Sequence, residues 1–366
     1  VTGTSLHYFA RGNTARGVHF LFDSAFQGLG RIFILEGGSA AEKSRVIRGI
    51  ADSMIRQGRD IQCFHSPLHP DELNGLIVTG LGLGIVDGQE CEGIPRVGTT
   101  QAVPIDFSVS IDAAKVTDEA LRIIESLKHD LAEAYSKAYD TFAEALRIHD
   151  EWEQYYISSM DFAKADQVAR ELIQEFFCED GRVRAASVRH LFFGAATPEG
   201  AIDHIQNLTA DLKRRIFIKG RPGSGKSTML KKIAAAAEQK GYDVEVFHCG
   251  FDPNSLDMLI FPELSTAIFD STAPHEYFPS RQGDEILDMY ERAMTPGTDE
   301  KYAGELAAIK TRYSAKMREA TSYLMQARQI DDKIRSGYAE AVDKEAVRRL
   351  QWELLAAVEE GAGQSV

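Results

Sequence analysis

The chain has 366 residues, 44% of them hydrophobic and 26% charged, which is ordinary globular usage and enough length for about two domains with cores of their own. A formal net charge of −14 gives a field that repels nucleic-acid backbones and anionic membranes, so neither is an expected partner. Cys63, Cys91, Cys178 and Cys249 lie far apart with no C-x-x-C pair, which argues against a disulfide framework or a structural zinc site. Together with the lack of a membrane-length apolar run and of signal-peptide order at the N-terminus, this points to a soluble cytoplasmic protein.

The chain repeats itself at a shift of 183 residues. That shift lays Lys43-Ser44 on Lys226-Ser227 and residues 58–87 on residues 241–270 without a gap, giving 11 identities in 30 positions. Among them are Phe64/Phe247, His65/His248, Pro70/Pro253 and Asp87/Asp270. Thr14-x-x-Gly17 likewise falls on Thr197-x-x-Gly200. Two copies of one domain are expected, 1–180 and 181–366, meeting near Glu179-Asp180-Gly181-Arg182.

In each copy an apolar strand comes first (Ile32 to Leu35; Ile216 to Lys219), then a glycine-containing loop and a helix over about 43–57 or 226–240. A second strand follows (Ile61 to His65; Val244 to His248), and a further apolar run ends in aspartate (Gly84 to Asp87; Ala267 to Asp270). Strands alternating with helices predict an α/β fold with mainly parallel sheets. Residues 117–178 and 299–358 are free of proline and carry apolar residues at spacings of three and four, for example Ile124, Leu127, Leu131 and Ala134, or Leu306, Ile309 and Tyr313. These predict long amphipathic helices, in hairpins or coiled-coil-like arms, that either pack on each other or bind a protein partner.

Gly220-Arg221-Pro222-Gly223-Ser224-Gly225-Lys226-Ser227 fits G-x-x-x-x-G-K-[ST], after a strand and before a helix. Gly223 and Gly225 let main-chain amides turn toward a phosphate, and Lys226 supplies a cation for the β- and γ-phosphates. Ser227 can ligate Mg²⁺, and Thr228 can help to hold the α-phosphate. The expected ligand is a nucleoside triphosphate, Mg·ATP. The first copy reads Gly37-Gly38-Ser39-Ala40-Ala41-Glu42-Lys43-Ser44, with Ala40 and Glu42 in place of two glycines. Glu42 puts a carboxylate at the helix N-terminus where a phosphate would sit, so this copy is expected to bind nucleotide weakly or not at all.

Downstream, Asp270 ends an apolar strand, where a P-loop protein places the acid of the Mg²⁺ shell, and is the expected metal-binding and catalytic carboxylate. Asp252, with His69 as its counterpart, is the candidate general base. Ser271-Thr272-Ala273-Pro274-His275 has no match in the first copy, and His275 is a candidate phosphate contact or proton shuttle. His248 and Pro253 recur in the damaged copy and read as structural; Arg221, Arg281 and Glu263 are weaker candidates.

The duplicated halves, the loop Arg-Ile-Phe-Ile-Lys-Gly-Arg-Pro-Gly-Ser-Gly-Lys-Ser, Phe-His-Cys-Gly-Phe-Asp-Pro-Asn-Ser-Leu-Asp and Ala-Ile-Phe-Asp-Ser-Thr-Ala-Pro-His together resemble a group of bacterial tandem P-loop ATPase-like proteins. The resemblance covers nearly the whole chain. It implies a P-loop NTPase fold in both halves and ATP binding at Gly220 to Thr228, and the chain departs from it at Ala40 and Glu42. An ATPase is the leading expectation, a kinase for a nucleotide or other small molecule the alternative, and a nucleotide-responsive scaffold with little turnover the third.

Overall fold

The structure, a computed structural model, describes residues 2–90, 100–177 and 182–363. Cys91, Cys178 and the expected boundary at Glu179-Asp180-Gly181 lie outside the described residues. The first half begins with β1 (Ser5–Tyr8), the hairpin β2 (Arg11–Thr14) and β3 (Gly17–Phe20), and a short helix α1 (Phe22–Ala25). Then come β4 (Arg31–Glu36), α2 (Ala40–Arg56), β5 (Ile61–His65), β6 (Leu73–Val78), β7 (Leu83–Asp87) and β8 (Gln101–Asp106). Two helices follow, α3 (Asp118–Ile157) and α4 (Phe162–Phe176).

The second half has β9 (Val188–Leu191), the hairpin β10 (Gly194–Thr197) and β11 (Gly200–Asp203), α5 (Ile205–Thr209), β12 (Arg214–Lys219) and α6 (Lys226–Gln239). It continues through β13 (Val244–His248), β14 (Leu256–Phe261), β15 (Thr266–Asp270) and β16 (Asp284–Asp288). Helices α7 (Met289–Ala293), α8 (Thr298–Lys301), α9 (Ala303–Tyr338) and α10 (Lys344–Gly363) complete it.

Both sheets run in the same order, β1-β5-β6-β7-β4-β8 and β9-β13-β14-β15-β12-β16. In each, three pairings are parallel and two antiparallel, because β6 and β14 return against both their neighbours. The strands beside the loops match the expected spans within a residue or so, whereas β6 and β14 are additions to them. Every residue of β6 is buried, so no alternation of polar and apolar positions marks it as a strand.

The sheets face one another across a shared core. Tyr8, Phe64 and Val86 of the first half pack with Phe217, Phe247 and Phe269 of the second, and Tyr8 stacks on Phe247 with centroids 6.2 Å apart. Phe9 and Phe192, equivalent under the 183-residue shift, exchange main-chain hydrogen bonds of 3.0 and 3.1 Å. Thr14 and Thr197 close their hairpins alike, each hydroxyl donating to a glycine carbonyl at 2.7 Å (Gly17, Gly200).

The outer faces are roofed by exchange. Helix α4 packs on α6 of the second half, with Val168, Leu172 and Phe176 in the same cluster as Leu230, Ile233 and Ile268. Helix α10 does the converse, with Val347, Leu350 and Leu354 against Val46, Ile50 and Ile85. The long helices α3 and α9 pack along each other, joining Ala138, Phe142 and Leu146 to Ala320 and Leu324. Small alanines at these contacts let the two backbones approach closely. No helix among the described residues is long and apolar enough to cross a membrane.

Candidate functional site

The chain leaving β12 turns through Gly223 (φ +74°) and Gly225 (φ +83°) before α6 starts at Lys226. Both angles lie in the left-handed region where a side chain is strained, so glycine is required there. The turn is pinned by Ser224, whose Oγ accepts from the Arg221 amide at 3.2 Å and whose own amide donates to the Arg221 carbonyl at 3.1 Å. Alternating backbone conformations of this kind turn successive amides toward one concavity at a helix N-terminus, which is an anion-binding arrangement.

Lys226 Nζ donates to the Arg221 carbonyl at 3.1 Å and lies 3.5 Å from Asp270 Oδ2, so the expected lysine and acid are brought together. Asp270 Oδ1 is held by the Thr272 amide and hydroxyl at 3.1 and 2.7 Å. Ser227 Oγ accepts from the Leu256 amide at 2.9 Å. That bond leaves the hydroxyl a lone pair for a cation. Thr228 stands exposed in the first turn of α6.

The other expected residues have partners of their own. Asp252 takes the Arg16 guanidinium at 2.7 Å, a contact from the β2–β3 turn of the other half. His275 Nδ1 lies 2.8 Å from Asp203 Oδ2, which also accepts from the Tyr277 hydroxyl at 3.0 Å. Arg221 pairs with Asp299 at 2.9 Å and lies over Tyr290, with Pro222 beside it in the turn. Arg281 donates to the Thr209 and Leu212 carbonyls that end α5 and the segment after it, at 2.8 and 2.7 Å, and Glu263 binds Arg182 and Arg184. His248 Nδ1 donates to the Pro253 carbonyl at 2.6 Å, and the first half repeats this with His65 Nδ1 and the Pro70 carbonyl at 2.7 Å. Burial lowers the His248 pKa in that setting.

Three groups at the loop have no mark in the local sequence. Glu153, on α3, accepts a hydrogen bond from the Gly223 amide, and a Cβ on Gly223 would sit 2.7 Å from the Glu153 carbonyl oxygen. Burial raises the Glu153 pKa, with Asp150 adding to it and Lys226 opposing. His149 lies one turn earlier, its pKa lowered chiefly by burial, and His149, Asp150 and Glu153 bring ligand atoms within 4.8 Å of one another. These residues sit on a charged helix far away in the chain, and only tertiary packing delivers them. Asp257 is the third group. It stands on β14, its pKa raised by burial and then by Asp270. Its signal was present in the repeat, because Asn74 occupies the matching position.

The first loop is built differently. Helix α2 begins at Ala40, so the positions of Gly223 and Gly225 are taken by helical Ala40 and Glu42. Alanine and glutamate favour helix and resist left-handed angles, so the amide cradle is replaced by an extra helical turn. Glu42 binds Arg45 at 2.6 Å instead of capping the amides. Lys43 and Asp87 form a 2.5 Å ion pair with side chains 0% and 5% exposed. The Phe107–Ser110 segment lies on the remaining glycines, within 2.7 Å of where a Cβ on Gly38 would be.

A family model described as NTPase matches residues 215–254, from β12 through the glycine turn and α6 to the segment after β13. This stretch is P-loop NTPase-like. Nucleotide binding is thereby supported at the level of that family. No curated protein and no solved structure matches the chain.

Proposed function

We propose that the chain is a duplicated P-loop protein, residues 1–180 and 181–366, that binds Mg·ATP at the second loop only and hydrolyses it. The observation that carries this reading is the left-handed turn at Gly223 and Gly225 leading into Lys226, within 3.5 Å of Asp270, where the first half has a helical turn and a closed ion pair. The amides of residues 223–227 grip the β- and γ-phosphates, Lys226 swings from the Arg221 carbonyl onto them, and Thr228 reaches the α-phosphate. The donor set of Ser227 and Asp270 is oxygen only, which fits Mg²⁺, and the ion when bound neutralises charge on the phosphates. For the phosphates to enter, Glu153 must give up the Gly223 amide, since both claim the same donor.

A kinase reading draws on Ser271. Directly after Asp270 it is fully buried, and its hydroxyl donates to the Tyr277 carbonyl, so no carboxylate follows Asp270. Phosphate release in the absence of any acceptor separates the two. The test is calorimetry with Mg·ATP together with a phosphate-release assay on the full chain, on Lys226→Ala and on Lys43→Ala. One site per chain, lost in the first variant and kept in the second, supports the proposal; no binding at millimolar nucleotide overturns it.

A further inference from the structure

Asp257 is the feature of the second loop that its sequence motif does not account for. The last ladder pair between β14 and β15 is Met258↔Phe269, so the next position sets Asp257 opposite Asp270. Strand β14 bulges at Asp257, the extra residue between the pairs His248↔Leu256 and Phe247↔Met258. Leu256 and Leu259 on either side of it pack with Leu230 and Ile233 of α6, and the charges of Asp270 and Lys226 both act on the Asp257 carboxylate where α6 begins. The Leu256 amide, one residue before Asp257, is the donor to Ser227 Oγ at 2.9 Å. Asp257 is therefore built into the wall of the cradle beside the lysine, the serine and the expected magnesium acid. Its only direct side-chain partner among the described groups is the Cys249 thiol.

The first half repeats this geometry without the acid. Gly75↔Val86 is the last ladder pair there, which sets Asn74 opposite Asp87. Asn74 is 4% exposed, and neither its amide nitrogen nor its oxygen has a partner. A buried amide left unsatisfied costs stability that an apolar side chain would avoid, so folding alone gives no reason for a polar group at this position. An acid stands here where the loop is open, and its neutral isostere where the loop is closed.

We propose that Asp257 is a catalytic carboxylate of the second loop, holding the water that attacks the terminal phosphate, and that Asn74 marks the loss of this group in the first half. The inference rests on the nucleotide reading above. In the reaction, the water oxygen bonds to the γ-phosphorus while the bond from that phosphorus to the β–γ bridging oxygen breaks. The electron pair of the broken bond leaves on the nucleoside diphosphate, and the water proton leaves on the released phosphate. Asp257 accepts a hydrogen bond from the water throughout, fixing its oxygen in line with the breaking bond.

The experiment compares the full chain with Asp257→Asn and Asp257→Glu, measuring Mg·ATP affinity by calorimetry, kcat and KM by phosphate release, and melting temperature. Asparagine is tolerated at this position in the first half, so folding is expected to survive. The expected result is unchanged affinity and KM for Asp257→Asn with kcat down about a hundredfold, and partial recovery of kcat in Asp257→Glu. Turnover by Asp257→Asn within about twofold of the unaltered chain would overturn the proposal, as would loss of affinity or of melting temperature in step with kcat. Binding without turnover in the unaltered chain would overturn it too, while leaving the nucleotide site standing. Failure of the unaltered chain to bind Mg·ATP removes the nucleotide reading itself, and the inference with it.

Discussion

In the second half the chain passes through two left-handed glycines before α6 starts at Lys226, whereas in the first half α2 has already begun at Ala40, three residues earlier in the shared frame. Two side chains decide between a cradle of amides and a turn of helix. The lysine is retained in both, yet its work differs: Lys226 is partly exposed and 3.5 Å from Asp270, while Lys43 is fully buried and 2.5 Å from Asp87. The same two residue types stand open beside one loop and form a closed, buried pair beside the other. The lesson is that one lysine and one aspartate, repeated in both halves, are presented in quite different ways when the backbone before them differs.

The sharpest way to break this comparison is to remove each lysine in turn. Lys226→Ala is expected to weaken Mg·ATP binding and turnover by at least about a hundredfold, whereas Lys43→Ala changes either by less than about twofold, read by calorimetry and phosphate release. Stability should show the reverse order. Lys43→Ala strands a buried Asp87 carboxylate and is expected to cost about 3–5 kcal/mol, against about 1 kcal/mol or less for Lys226→Ala, measured by urea denaturation.

A second approach tries to convert one loop into the other. Ala40→Gly with Glu42→Gly restores the glycines but leaves the Lys43–Asp87 pair and the covering Phe107–Ser110 segment. The double variant should still bind one nucleotide per chain; a second site in the titration would show that the glycines alone decide. A smaller effect is expected at the second loop itself. Glu153→Gln weakens the bond that competes with phosphate at the Gly223 amide, and nucleotide affinity should rise by about three- to tenfold, roughly the worth of one charge-assisted hydrogen bond at a partly exposed site. Unchanged or lower affinity would show that Glu153 does not compete.

The histidines offer the mildest contrast. His65 is held down to about 3 by burial, with His204 adding to it, and His204 to about 4 by burial and then His7. The second half has the His190–His248 pair, 2.8 Å apart, but Leu21 stands where a third histidine would match. Unfolded imidazole titrates at 6.5, above these folded values. Their neutral forms therefore cost nothing above that pH, and stability falls as the pH drops from about 6.5 toward 4, by about 1.4 kcal/mol per pH unit for each such group. His65→Asn should flatten this acid limb in pH-dependent denaturation more than His248→Asn does; equal slopes would remove the distinction.

Much of the fold around the loops was legible in the sequence, because apolar runs bounded by glycine and charge mark β4, β5, β12, β13 and β15, and spacings of three and four mark α3 and α9. The buried strand β6 was not, since continuous apolar character does not separate a strand from a core helix turn. Nor was the crossing of α4 and α10: an amphipathic face states that it will be covered, not by which sheet. At the site, Lys226 and Asp270 could be placed from motif and position alone. Asp257 was recoverable from its pairing with Asn74. Glu153 was not, for it is one glutamate among several on a 40-residue helix.

The exchange of α4 and α10 has a consequence for how the molecule can come apart. Each sheet takes its outer cover from a helix of the other half, α4 for the second and α10 for the first, so Ile50 and Ile85 stay wet until α10 has docked. Neither half owns a complete interior, and a fragment stopping short of Lys344 would present the bare side of the first sheet to water. The protein should melt as a single unit, with each half as indispensable to the other as a shared wall is to two rooms.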